Sequence, residues 1–134
     1  MADGLYDAGR DAFLNGDIDW IADTIKVTLV DAADYTVNLS TDDYYNDVTV
    51  GGRVAVATLT GKSTAAGVAD AANVTFSSVT GDVSEALVIW KDTGTESTSP
   101  LIAYIDGATG LPVTPNGGDI TVTWDDGANK IFKL

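Results

Sequence analysis

The chain contains no cysteine and no histidine among its 134 residues. Without Cys it can form no disulfide and offers no thiol nucleophile or thiolate metal ligand. Without His it lacks the commonest general base and the commonest transition-metal ligand. Basic residues are also scarce, because seven Lys and Arg stand against 20 Asp and Glu, a formal net charge of −13. A surface of this sign repels phosphate backbones, so we expect no nucleic-acid partner.

Long apolar runs are missing as well. No stretch approaches the ~18 consecutive apolar residues that a transmembrane helix needs, so we expect no membrane partner. Residues 1–16 carry Asp3, Asp7 and Arg10 and have no apolar segment of the secretory kind. The composition is nevertheless 45% hydrophobic, which is enough to bury a core. The length fits one domain.

The remaining pattern is that of short β-strands. Ile25, Val27 and Leu29 alternate with polar residues, which predicts a half-buried strand. Two runs are apolar on both faces, Arg53–Leu59 and Glu85–Trp90, and we expect both to be central strands. Further strands are predicted at Val74–Phe76 and Leu101–Ile105 and, more weakly, at Tyr35–Leu39, while 61–73 reads as a loop or a weak strand.

Turn residues separate these runs, and helical segments between them are absent from the pattern. The sequence therefore predicts an all-β fold, an antiparallel β-sandwich or small barrel of about seven to eight strands with one short N-terminal helix. We expect residues 1–134 to form a single domain. Residues 1–20 would be the N-terminal helix and arm, and residues 24–134 the β core.

The helix is predicted over Leu5–Leu14. Tyr6, Arg10 and Phe13 recur at helical spacing and can share one side. Asp3 is a suitable N-cap, and Gly16 stands where a helix should end. A helix this short is marginal alone, so it must dock its aromatic side on something.

The C-terminal segment predicts the closing strands. Ile120, Val122 and Trp124 line one face of a strand. Asp126-Gly127 then indicates a tight hairpin turn that leads into Ile131–Leu134. A chain with apolar residues at this point should need them as a strand in the sheet.

Acidic clusters are the only features that suggest a metal site. Asp17, Asp19 and Asp23 resemble a calcium-loop spacing, but an EF-hand needs Gly at the sixth position and Glu at the twelfth. Ala22 and Thr28 stand there. We therefore predict solvated loop acids that cap nearby backbone, with no metal and no cofactor. The same interpretation holds for a second cluster, Asp42, Asp43 and Asp47.

No catalytic constellation emerges, since the hydroxyl-rich stretch Thr93–Ser99 lacks a base. We therefore do not expect an enzyme. Trp20, Trp90 and Trp124 lie in or beside apolar strand patterns, which favours core or interface anchors over a sugar-binding platform. The adjacent Tyr44 and Tyr45 fall in a polar predicted loop and are better suited to an exposed contact.

Both ends of the chain resemble a known group. The stretch Tyr6-Asp-Ala-Gly-Arg-Asp-Ala-Phe-Leu-Asn-Gly-Asp-Ile-Asp-Trp20, followed by Asp23–Val27, resembles the opening of small virion proteins of tailed bacteriophages and prophages. Leu101–Asp106, Leu111–Ile120 and the closing Trp124–Leu134 are similar to the same group. Together these stretches cover roughly half of the chain. The resemblance implies a virion structural protein without catalytic residues.

A head-decoration (cement) role is what the resemblance suggests. Such a protein would bind the outer surface of the capsid, with the major capsid protein as partner and several copies associating as a homo-oligomer. Its location would be the virion, assembled in the host cytoplasm. A tail or baseplate component and a carbohydrate-binding β-sandwich module are the alternatives. Interface centres favour aromatic residues and Arg, so the predicted contact residues are Tyr6, Arg10, Phe13, Trp20, Tyr44 and Tyr45.

Overall fold

A computed structural model describes residues 4–124, 127–128 and 130–134. Across these residues the chain forms ten β-strands and one α-helix, together with three single-turn 3₁₀-helices. The bounds are β1 Gly4–Leu5, α1 Asp7–Leu14, β2 Ile25–Val30, β3 Arg53–Thr58, β4 Ser63–Ala65, β5 Val68–Asp70, β6 Val74–Phe76, β7 Ala86–Lys91, β8 Leu101–Ile105, β9 Ile120–Val122 and β10 Phe132–Lys133. The 3₁₀-helices are Tyr45–Asp47, Val50–Gly52 and Glu96–Thr98.

The largest element is a five-stranded antiparallel sheet in the order β1-β8-β7-β2-β3. Its middle strand β7 is buried along Ala86–Trp90 and pairs with both neighbours, which confirms the predicted central strand. The same prediction for Arg53–Leu59 is wrong. In the described chain β3 pairs only with β2 and forms the edge of the sheet. The alternating valines of β3 are consequently half-exposed rather than covered on both faces.

Two smaller sheets, β10-β5-β4 and β6-β9, cover one face of the large sheet. Apolar side chains from β2 and β7, such as Val27 and Ile89, pack there against Phe76, Val122 and Trp124. The predicted all-β, antiparallel fold with one short helix is confirmed. Because the sheets of the described chain do not close on themselves, the arrangement is sandwich-like rather than a barrel.

The number of strands exceeds the prediction for a local reason. The segment interpreted as a loop or weak strand contains the hairpin β4–β5, whose tight turn is made by Ala66 and Gly67 with positive φ. The short edge strand β1 adds another. The strand predicted over Tyr35–Leu39 is wrong, because this segment is irregular.

The irregular segment 31–52 covers the opposite face of the large sheet. Tyr35, Tyr45 and Val48 point into a second core against Val88 and Trp90 of β7. Side-chain acceptors hold its backbone in a non-strand path. The Asp42 carboxylate, for example, accepts the main-chain N–H of Asn38 at 3.0 Å. Both faces of the central strands are therefore buried.

Helix α1 begins after Tyr6, two residues later than Leu5, and Asp3 lies outside the described residues. Within the helix the buried residues are Gly9 and Ala12, whereas Phe13 is half-buried and Arg10 is exposed, contrary to the predicted shared side; Tyr6, which precedes the helix, is buried. Gly9 packs directly on the backbone of β8. The predicted end of the helix is confirmed, because Gly16 has a φ of +78°. The Gly16 N–H donates to the Phe13 carbonyl, and the Asp17 N–H donates to the Ala12 carbonyl at 2.8 Å. This is a Schellman turn.

The C-terminal strand forms as predicted, but with a different partner. β10 pairs with β5, and β9 pairs with β6, so the described parts of these two strands do not form the predicted hairpin. Asp126 of the predicted turn lies outside the described residues. β10 therefore belongs to the layer formed by the two small sheets, where it pairs with β5 beneath helix α1.

Candidate functional site: two clefts beside helix α1

The six predicted contact residues divide into two groups. Tyr6, Trp20 and Tyr45 are at most 5% exposed and lie largely in the protein interior, although Trp20 also lines the apolar groove described below. The physical reason is that loop segments fold over the large sheet and carry their aromatic rings inward. Arg10 is exposed, Phe13 is half-buried and Tyr44 is 39% exposed. Binding by any of the six stays a prediction.

Tyr6 fastens the N-terminal arm to segment 31–52. Its hydroxyl lies 2.8 Å from that of Tyr35, which in turn donates to the Asp42 carboxylate at 2.7 Å. Burial raises the pKa of Tyr6. Burial also raises the pKa of Tyr35, with the neighbouring Tyr6 and Asp42 adding to the effect. Both phenols therefore stay protonated at neutral pH and serve as donors.

Tyr45 is the middle layer of a stack. Its ring lies 3.7 Å from that of Trp90, nearly parallel, and the Arg53 guanidinium lies 4.0 Å from the ring centre. The Thr28 hydroxyl accepts from the Trp90 indole at 3.0 Å and lies 2.8 Å from the Tyr45 hydroxyl. These contacts satisfy every polar atom of the two rings. Tyr45 therefore holds the 3₁₀-helix Tyr45–Asp47 on the sheet.

The three tryptophans are core residues, as the sequence predicted. Trp20 donates its indole N–H to the Asp70 carbonyl and meets the ring of Phe132 edge-on at 5.2 Å. Trp124 donates to the Ala72 carbonyl at 3.0 Å. Because all three are buried, they do not form an exposed platform for sugar rings.

An apolar groove opens between the end of α1, the segment 16–21 and the sheet β10-β5-β4. Its volume is about 450 Å³. Its floor is aromatic, since the Phe132 ring lies between those of Phe13 and Trp20 at 5.9 Å and 5.2 Å. Ile21 lines the groove and is 51% exposed. Leu14 of α1 is 79% exposed and lines a neighbouring cleft that shares Leu134 with the groove. Large apolar side chains gathered in this way mark interaction surfaces.

Two lysines hold the wall of this groove in place. The Lys91 ammonium donates to the Asp17 carbonyl at 2.6 Å and pairs with the Asp23 carboxylate at 3.1 Å. Lys62 donates to the Asp23 carbonyl. The Asp19 carboxylate accepts the N–H groups of Ile21 and Ala22, each at 3.0 Å. The prediction that these acids cap local backbone is confirmed.

A second cleft, acidic and of about 240 Å³, lies on the other side of the same turn. It brings together the two segments that the sequence predicted as contacts, α1 and the loop 40–47. Asp11 and Asp17 face it from the helix side, and Asp43 and Tyr44 from the loop. Partial burial and the neighbouring Asp47 raise the pKa of Asp43. The cleft therefore concentrates negative charge beside an exposed aromatic ring.

Three other carboxylates have lowered rather than raised pKa values. A hydrogen bond from Lys26 lowers the pKa of Asp92, and one from Arg53 lowers the pKa of Glu96. Partial burial raises the pKa of Asp23, but the Asp19 N–H and Lys91 outweigh it, so the net shift is downward. Because their folded pKa values lie below the usual 3.8 and 4.5, these groups stabilise the fold above those values.

That stabilisation should be lost as the pH falls through the lowered pKa values. We expect urea unfolding to show that Lys26→Met is less stable than wild type at neutral pH, and that the difference disappears once the pH has fallen below the lowered pKa of Asp92. Asp43 has the opposite pH dependence, because its raised pKa means that protonation favours the folded form. The variant Asp43→Asn measures its contribution separately. A difference between Lys26→Met and wild type that stays constant with pH would contradict this account.

One further acidic group escaped the sequence analysis. Oxygen atoms of Asp31, Asp34 and Asp82 lie within 4.8 Å of one another. Asp31 also accepts the N–H of Ala33 at 2.8 Å, as an ordinary turn acid does. Three carboxylates can supply only some of the six to eight oxygens that calcium takes. Asp82 is far away in the sequence, so no spacing rule could have found the group.

Sequence reasoning singled out Phe13 and Tyr44 but missed Ile21 and the hairpin β4–β5 that completes the groove. In the described residues, no helix is both long and apolar enough to cross a membrane. Comparison with models of known protein families and with curated proteins gave no match.

Proposed function

We propose that the chain is a phage virion structural protein that binds the outer surface of the capsid and stabilises it, as a decoration or cement protein. The major capsid protein is its partner, and copies associate on the capsid as a homo-oligomer. It acts without catalysis, cofactor, nucleic acid or membrane. Its site of action is the virion, assembled in the host cytoplasm.

One observation carries this proposal. The two stretches that resemble virion proteins are distant in sequence, yet they meet in space and build most of the apolar groove. Phe13, Ile18 and Trp20 come from the first stretch, and Phe132 comes from the last. The resemblance therefore coincides with an accessible apolar groove rather than with the core alone.

The rest of the molecule suits a binding role. Both faces of the central strands are covered, so the domain is a rigid support for a surface patch. The chain has neither His nor Cys, which leaves the accessible clefts without the commonest general base or a thiol. A protein that binds an assembled shell, but not its separated subunits, stabilises the shell by mass action.

Sedimentation with phage particles tests the proposal. We expect saturable binding to heads that lack the protein, no binding to isolated tails, and a higher temperature of head disruption when the sites are filled. Binding to tails alone would favour a baseplate component. Binding to immobilised glycans without binding to heads would favour a carbohydrate-binding module. Either result would overturn the decoration role.

A further inference from the structure

The two clefts share one structural boundary, the Schellman turn at the end of α1. Gly16 lines the apolar groove, whereas its neighbours Asn15 and Asp17 line the acidic cleft. A short segment of a partner crossing this turn would therefore meet an apolar surface on one side and carboxylates on the other. We call the pair of clefts the double surface.

The apolar half offers space and contact area. Its volume of about 450 Å³ lies in the range of ordinary binding pockets and is large enough for one large side chain with its neighbours. The rings of Phe13 and Phe132 form part of its floor, and the half-exposed Ile21 stands at its rim. Covering such a surface removes apolar area from water.

The acidic half requires a cation that this chain does not supply. In the part of the chain that the structure describes, the carboxylates of Asp11 and Asp17 take part in no ion pair. Six of the seven basic residues are already engaged, most of them with acids of their own, and the seventh, Lys133, lines a different cleft with Leu5 and Leu14. These contacts are Arg10 with Asp7, Lys26 with Asp92, Arg53 with Glu96, Lys91 with Asp23, Lys130 with Asp70, and Lys62 with the Asp23 carbonyl.

We propose that the double surface binds a segment of the capsid protein that presents a large apolar side chain beside a Lys or Arg. This inference rests on the proposed function and names the partner's chemistry at that site. The apolar side chain enters the groove. The cation enters the acidic cleft between Asp11 and Asp17, where the exposed ring of Tyr44 adds a cation–π contact. Charge complementarity selects a basic segment over an acidic one.

Two variants with matched controls test the double surface on heads that lack the protein. Ile21→Ser removes the apolar rim, and Val50→Ser is its control, because Val50 is 74% exposed and lines neither cleft. Asp11→Asn with Asp17→Asn removes two charges from the acidic cleft. Its control is Asp34→Asn with Asp82→Asn, which removes two exposed charges elsewhere. Circular dichroism verifies that all four variants fold.

We expect Ile21→Ser to weaken binding to heads about tenfold, because it removes a large apolar contact from the edge of the groove. The Asp11/Asp17 variant should weaken binding about fivefold at low salt and progressively less as salt screens the charges. Both controls should bind like wild type. If wild type binds heads and the test variants bind as their controls do, the double surface is refuted while the decoration role stands. If wild type does not bind heads, the decoration role itself fails.

Discussion

Replacing Trp90 by alanine is expected to lower the free energy of unfolding by about 3–5 kcal/mol. Trp90 is the buried base of the stack that carries Tyr45 and Arg53. Its removal leaves a cavity on the central strand and takes away the indole donor to Thr28. Urea unfolding followed by circular dichroism measures the change, since the other tryptophans complicate a fluorescence readout.

The stack predicts more than a simple loss of apolar contact. Trp90→Phe keeps an aromatic base but loses the indole N–H, so its cost should lie well below that of Trp90→Ala. The control Val50→Ala changes an exposed side chain and should leave stability almost unchanged. A cost for Trp90→Ala close to that of the control would show that segment 31–52 does not depend on the stack.

Gly9→Ala should destabilise the protein by about 1–3 kcal/mol, although the same change usually stabilises a helix. A Cβ atom at Gly9 would lie 2.4 Å from the Leu101 carbonyl oxygen and 3.0 Å from the Cα of Ile102. Both are backbone atoms of β8, so no side chain can rotate away to relieve the clash. Helix α1 must move outward, which would alter both clefts that it borders.

The control is Gly51→Ala, because a Cβ atom there meets nothing within 4 Å. Thermal unfolding of the two variants against wild type provides the comparison, and binding to heads should fall for Gly9→Ala alone. A Gly9→Ala protein as stable as wild type would mean that α1 does not rest directly on β8.

The central strands could be predicted because their side chains face two cores. The Ala86–Trp90 run is apolar on both faces, and the structure buries it on both. Arg53–Leu59 has a similar pattern, yet β3 is an edge strand. Alternation shows which residues share a face, but it does not report whether a neighbouring strand is present. Only the paired sheet decides between centre and edge.

The candidate site was harder to predict, because exposure depends on contacts between distant segments. Tyr6 meets Tyr35 across 29 positions, and Trp90 meets Thr28 across 62. Tyr45 in a polar loop and Tyr6 in the predicted helix were both predicted as contact residues, but both fill the face of the large sheet that segment 31–52 covers. Ile21 and Leu14 are the opposite case. An apolar residue in a sequence usually indicates the core, but these two side chains are exposed.

The contacts of Lys91 with Asp17 and Asp23 affect how fast and how tightly the groove can bind a partner. Lys91 is the last residue of the central strand β7, so the wall formed by residues 17–23 is attached to the middle strand of the large sheet. The wall is already ordered before a partner arrives. Binding a partner should therefore cost little conformational entropy of segment 17–23. The free and bound shapes of the groove should be nearly the same.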